Sequence, residues 1–241
     1  NSTTLGSMNE VAHEGVTGSY EESGGQAVVV ASNGTNASFV WKAWNGATWN
    51  ATTTVALGDD FEAGSLVSDV GTDNMALCYV DEDNDIGAVR WTGAAFTGQI
   101  ELETAWAAGS TVKNDRPVDC MFEVGGSRDG YIMVAYSDTT NIRYQAWTGA
   151  AWSAEGSVST IQDASRVQLR RTAGNLPQLV AYDMTNDRYD YSDWNGTTWS
   201  TLQSLETNGV SGAYPFKEPF MVAPRNPGSS GTLIGDPGIA F

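Results

Sequence analysis

Histidine, cysteine and lysine are almost missing from this chain of 241 residues, which holds one His, two Cys and three Lys. With His13 as the sole imidazole and no Gly-x-Ser-x-Gly elbow, a hydrolytic triad is unsupported. Two cysteines and one histidine fall short of a zinc site, and phosphate loops and dinucleotide fingerprints are also absent. No apolar run reaches membrane-spanning length, so no membrane span is expected in this chain. Positive charge is scarce: Lys+Arg is 12 against 29 Asp+Glu, a net charge of −17. Nucleic acid and anionic membranes gain nothing from such a surface and are not expected as partners. The acidity suits a hydrated, repulsive exterior in salty surroundings, or ordinary solubility. The chain opens on Asn1 rather than Met, as a processed chain does, and an extracellular or cell-surface location is expected.

Against these shortages stands one short phrase written four times: Trp44-Asn45-Gly46-Ala47-Thr48-Trp49, Trp91-Thr92-Gly93-Ala94-Ala95-Phe96, Trp147-Thr148-Gly149-Ala150-Ala151-Trp152 and Trp194-Asn195-Gly196-Thr197-Thr198-Trp199. The first tryptophans lie 47, 56 and 47 residues apart, a period suited to one four-stranded β-propeller blade. Asn-Gly tolerates the positive φ of a tight type I′ turn, so the phrase reads as a hairpin with a two-residue loop. On that reading Trp44 pairs with Ala47, and Trp49 lies diagonally across on the same face. The phrases hold seven of the nine tryptophans, whose main work is expected to be packing between blades; sugar stacking by an exposed ring is the alternative.

Upstream of each phrase runs an apolar segment, at 26–31, 75–80, 131–136 and 176–182, read as a buried strand. An alternating segment precedes each run, and another, such as 142–147 or 188–194, follows a polar loop. Four strands per blade result, with the Trp-Gly phrase joining the third to the fourth. The expected fold is therefore all-β: a single β-propeller domain of about five four-stranded blades at roughly 11–57, 58–104, 105–157, 158–205 and 206–241. No fifth phrase follows Trp199, so the last blade is expected to be incomplete, or closed by the N-terminal strand at 1–8.

The run Ala135-Tyr136-Ser137-Asp138-Thr139-Thr140-Asn141, then Tyr144 and the phrase Trp147 to Trp152, resembles the repeats of sialidase-like, BNR-type β-propellers of secreted and surface prokaryotic proteins. The resemblance covers nearly the whole chain and implies a fold more than an activity, since that family includes lectins, adhesive and structural proteins as well as enzymes. The Asp-box of sialidases, Ser-x-Asp-x-Gly-x-Thr-Trp, is absent here. A sialidase also needs an arginine cluster, a Tyr-Glu nucleophile pair and an acid Asp. The available arginines, among them Arg116, Arg143, Arg170, Arg171 and Arg188, show no spacing that selects three for one site.

Several smaller signals remain. Asp81, Asp83 and Asp85 place oxygen ligands at alternating positions, a calcium candidate without the spacing of an EF-hand, with a solvated turn as the alternative; no other cofactor is expected. Cys78 and Cys120 fall in strands of adjacent blades and suit a disulfide in an oxidising exterior, or else two buried thiols. Sequons at Asn33, Asn36, Asn50 and Asn195 are candidate glycosylation sites, with Asn195 also serving its turn. Together these features favour a non-enzymatic extracellular surface protein, an adhesion head or the globular subunit of an assembly such as a filament or pilus. The alternatives are a carbohydrate-binding lectin and a sialidase-like glycosidase, and the expected partners are other protein subunits or surface glycans.

Overall fold

The computed structural model describes residues 15–34, 36–104, 106, 116–138, 140–159, 164–172, 174–183, 185–186 and 188–205, together with residue 5 and the strand pair 220–221 and 239–240. The expected closure by residues 1–8 and most of the expected fifth blade lie outside the described residues.

Four antiparallel four-stranded sheets follow one another along the chain. The first comprises β1 (Val16–Tyr20), β2 (Ala27–Ser32), β3 (Ser38–Trp44) and β4 (Thr53–Ala56). The second has β5 (Phe61–Ser68), β6 (Asn74–Asp81), β7 (Ile86–Thr92) and β8 (Phe96–Glu103). In the third are β9 (Val118–Phe122), β10 (Ile132–Ser137), β11 (Ile142–Trp147) and β12 (Gly156–Ser159). The fourth contains β13 (Ala164–Arg171), β14 (Pro177–Asp183), β15 (Arg188–Asp193) and β16 (Gln203–Ser204). A further pair, β17 (Phe220–Met221) and β18 (Ile239–Ala240), is antiparallel. The 56-residue interval in the repeat reflects the longer separation of β8 from β9, and Trp106 between them is 1% exposed and joins the core between the second and third sheets.

Each sheet is a simple meander in which the apolar run forms the second strand. Burial on both faces explains why these runs do not alternate: every residue of β10 and β14 is buried. The first strands of successive sheets, β1, β5, β9 and β13, contact one another in order and so define the inner side of the array. Between the last two, contact extends to backbone hydrogen bonds. The Arg116 amide donates to the Ser165 carbonyl at 2.9 Å, and the Val167 amide to the Arg116 carbonyl at 2.8 Å. Asp119 reinforces this junction, its Oδ2 accepting the Leu169 amide at 2.9 Å and an Arg170 Nη1 hydrogen at 3.0 Å.

The Trp-Gly phrase does join the third and fourth strands, but its loop has four residues rather than two. Trp44 pairs with Trp49, Trp147 with Trp152 and Trp194 with Trp199; Trp91 pairs with Phe96. The first loop residue explains the difference. Asn45 Oδ1 accepts the amides of Ala47 and Thr48, and Asn195 Oδ1 those of Thr197 and Thr198, so the side chain caps a wider turn. Thr92 and Thr148 tie the same loop by donating their hydroxyls to the carbonyls of Ala95 and Ala151. The glycine then carries φ between 82° and 96° in all four copies, which only glycine adopts without strain. Directly opposed rings result, with centroids 5.2 to 5.8 Å apart.

The core is divided among the faces where one sheet lies on the next. Phe39 and Trp41 of the first sheet meet Trp91 and Phe96 of the second, with Trp41 and Trp91 centroids 4.7 Å apart and nearly perpendicular. Tyr144 of the third meets Trp194 and Trp199 of the fourth. Room for such rings comes from glycine. Tyr79 lies across Gly87, where a Cβ would sit 2.3 Å from the ring, and Tyr144 covers Gly156 in the same way. Because Trp91 is 1% exposed and belongs to the packed seam, Trp91→Ala is expected to cost about 3–5 kcal/mol in urea denaturation, against a smaller loss for Trp49→Ala, whose ring is half-buried.

Candidate functional site

The first residue after the first strand is acidic in three sheets: Glu21 after β1, Asp69 after β5 and Glu123 after β9. All three are at most 4% exposed. Two of them serve the seam with the next sheet. Glu21 Oε1 accepts the indole hydrogen of Trp91 at 2.8 Å, whereas Asp69 caps its own turn through the Thr72 hydroxyl at 2.9 Å, and burial raises its pKa. Glu123 takes the guanidinium of Arg128 in a fork, with Nε donating to Oε2 at 2.7 Å and Nη2 to Oε1 at 2.5 Å. A short 3-10 turn at Gly126–Arg128 delivers that arginine.

Arg128 stands over two rings, 5.3 Å from the centroid of Trp194 in the fourth sheet and 4.8 Å from that of Tyr131. Its side chain is 27% exposed while its partner Glu123 is 2% exposed, so a buried carboxylate holds a half-exposed cation against the seam. The Glu123 hydrogen bond raises the pKa of Arg128 further, which keeps the cation permanent. A related pairing marks the seam between the second and third sheets. The Arg90 guanidinium lies 3.7 Å above the Trp147 ring, and the Trp152 indole approaches the Gly98 carbonyl at 3.5 Å. Arg128 and Glu123 escaped the reading of the sequence. Their signal was the recurrence of an acidic residue at one position of successive repeats, which an internal alignment on the first strands exposes.

The calcium candidate changes membership. Asp81 turns inward at 3% exposure and its Oδ1 accepts the Asp85 amide at 2.9 Å, closing the loop after β6. Asp81, Asp83 and Asp85 therefore do not converge; Asp59, Asp60 and Glu82 do, each with one carboxylate oxygen within 4.8 Å of the others. Around them the carboxylates crowd. Glu62 is pushed up to about 7, by burial first and then by Glu82, Asp81, Asp59 and Asp60. Asp81 also rises to about 7, with burial as the largest cause.

The other singled-out residues are dispersed. Arg143 pairs with Asp138 at 2.6 Å, Arg188 with Asp190 at 2.9 Å, and Arg171 donates to the Phe122 carbonyl. Arg116 and Arg170 line a cavity of about 50 Å³ between the first strands, together with Asp119 and Gln168. No three of these five converge as a carboxylate clamp requires. Cys78 and Cys120 are buried free thiols on facing strands of the second and third sheets. Asn36, Asn50 and Asn195 are exposed and Asn33 is half-buried. Asn50 Oδ1 accepts the Ala43 amide and Asn33 Nδ2 donates to Ser38, so each also has a local structural role.

No protein-family model matches the chain, and comparison with curated proteins found no match. Solved structures do resemble it. A lectin from Burkholderia pseudomallei matches with a TM-score of 0.59 at 13% identity, over 81% of this chain and 56% of that one. A variant of the Aleuria aurantia lectin in complex with alpha-methyl-L-fucoside matches with a TM-score of 0.50 at 14% identity, over 78% of this chain and 59% of that one. The Aleuria lectin is described as a six-bladed β-propeller. At these identities the likeness establishes the propeller-type fold alone, and the chain spans less than two thirds of the length of either lectin.

The acidic group makes stability depend on pH with a definite sign. Carboxylates whose folded pKa lies above the unfolded value stabilise the fold while protonated and lose that contribution as pH rises through about 7. Melting temperature is therefore expected to fall between pH 5 and pH 8, and Glu62→Gln is expected to flatten that fall in scanning calorimetry.

Proposed function

We propose that this chain is a carbohydrate-binding propeller, a lectin that takes glycans at the seams between blades. The observation that carries this reading is the Arg128–Glu123 fork set over Trp194, where two blades meet at the surface. A sugar presents hydroxyls that both donate and accept, beside a face of C–H groups. Arg128 has five N–H donors and spends two on Glu123, leaving others for hydroxyl oxygens. The indole and phenol rings of Trp199, Trp152 and Tyr131 are half-buried near these seams and offer stacking surface.

The solved structures of similar fold support the same reading, since both are lectins and one holds a fucoside. They favour glycan binding over the adhesion head or filament subunit expected first from composition, and they give no support to protein subunits as partners. On this reading the four sheets are consecutive blades of a ring that at least one further blade completes, and an extracellular setting supplies the glycans. Binding takes place without bond cleavage.

The test is a glycan array followed by titration calorimetry on the full chain. Saturable binding to at least one glycan class is expected, and Arg128→Ala, checked for folding by circular dichroism, is expected to weaken it at least tenfold, or about 1.4 kcal/mol. A folded chain that binds no glycan on the array overturns the proposal.

A further inference from the structure

The buried thiols of Cys78 and Cys120 have no part in the proposed glycan site, and their placement is specific. Cys78 sits on β6 of the second blade and Cys120 on β9 of the third, so the two belong to different blades and come together only when those blades pack. Both Sγ atoms approach one oxygen, the Ser65 carbonyl of β5, at 3.8 Å from Cys78 and 3.6 Å from Cys120. Cys120 Sγ also approaches the Ala76 carbonyl at 3.7 Å. Around them lie Ala76, Val80, Ala88, Val118 and Val134, all at most 6% exposed, and the buried Asp119 carboxylate accepts the Cys120 amide at 3.0 Å.

We infer that Cys78 and Cys120 are a disulfide site, a covalent staple between the second and third blades that closes while the blades assemble. The timing follows from burial. The thiols are 0% and 1% exposed in the folded chain, and an apolar setting disfavours the thiolate that attacks a disulfide. Burial and the neighbouring Cys120 push the Cys78 thiol well above the usual range, in keeping with that setting. Oxidation therefore belongs to an earlier stage, when both sulfurs still meet solvent. The oxidant is a low-molecular-weight disulfide. A thiolate of one cysteine displaces one thiol from it to give a mixed disulfide, and the second cysteine then displaces the other. One S–S bond forms within the chain and one breaks in the oxidant; two chain thiols are oxidised and two small thiols leave carrying the protons. Once closed, the same burial shields the bond from reductants.

The experiment refolds the full chain from denaturant with glutathione disulfide, and in parallel with a reductant. The oxidised product is expected to be monomeric, to have an intact mass about 2 Da lower, and to resist alkylation in denaturant. It is expected to melt about 10 °C above the reduced product, since the bridge closes a loop of some forty residues. A Cys78→Ala/Cys120→Ala double variant is expected to melt at one temperature under both conditions. Two alkylatable thiols after oxidative refolding, a stable mixed disulfide with glutathione, or a bridge between two chains each overturn the inference. Glycan binding is read separately, so loss of one proposal leaves the other standing.

Discussion

The seam between neighbouring blades is the interaction on which the rest of this molecule depends. A four-stranded sheet of this size has two broad apolar faces and cannot bury either alone; each becomes stable only against the next. The chain meets this demand with paired rings at the end of the third strand, which reach back over the preceding blade. Trp91 and Phe96 lie on Trp41, and Trp194 and Trp199 lie on Tyr144. Aromatic rings suit the task because each covers a large apolar area with few rotatable bonds, and edge-to-face contact adds a directional preference.

Polar groups at the seams follow from the same arrangement. A tryptophan brought into a dry interface carries an indole N–H that costs free energy if left unpaired; Glu21 satisfies that of Trp91, whereas those of Trp194 and Trp199 are buried without a hydrogen-bond partner. At the seam between the third and fourth sheets, the equivalent Glu123 holds a partly exposed arginine instead. One backbone position thus serves structure at one seam and, on the proposed reading, recognition at another. Repeat architectures permit such divergence, since each seam is held mainly by its own neighbours.

The reach of the sequence can be judged residue by residue. Gly46 and its three counterparts announced the hairpins because positive φ is a local requirement, visible without any partner. The loop length was misjudged because the Asn45 and Asn195 side chains compete for backbone amides, a choice between turn types that differ little in energy. Asp81, Asp83 and Asp85 were grouped by spacing, but a strand end turns the first into the core, where it caps its own loop. The convergent carboxylates of Asp59, Asp60 and Glu82 come from two separate loops, and no spacing rule joins them.

What the amino-acid sequence by itself determined is the repeating unit: strands, hairpins, burial of the second strand and the all-β class, each set by interactions between near neighbours in the chain. Which side chains meet was decided by the tertiary structure. Glu21 reaches Trp91 across 70 residues, and Asp119 ties its blade to Leu169 across 50. Arg128 finds Trp194 and Cys78 comes beside Cys120 by the same packing of one blade on the next. Those distances are fixed by how twisted sheets stack about a common axis, a geometry that local propensity does not encode.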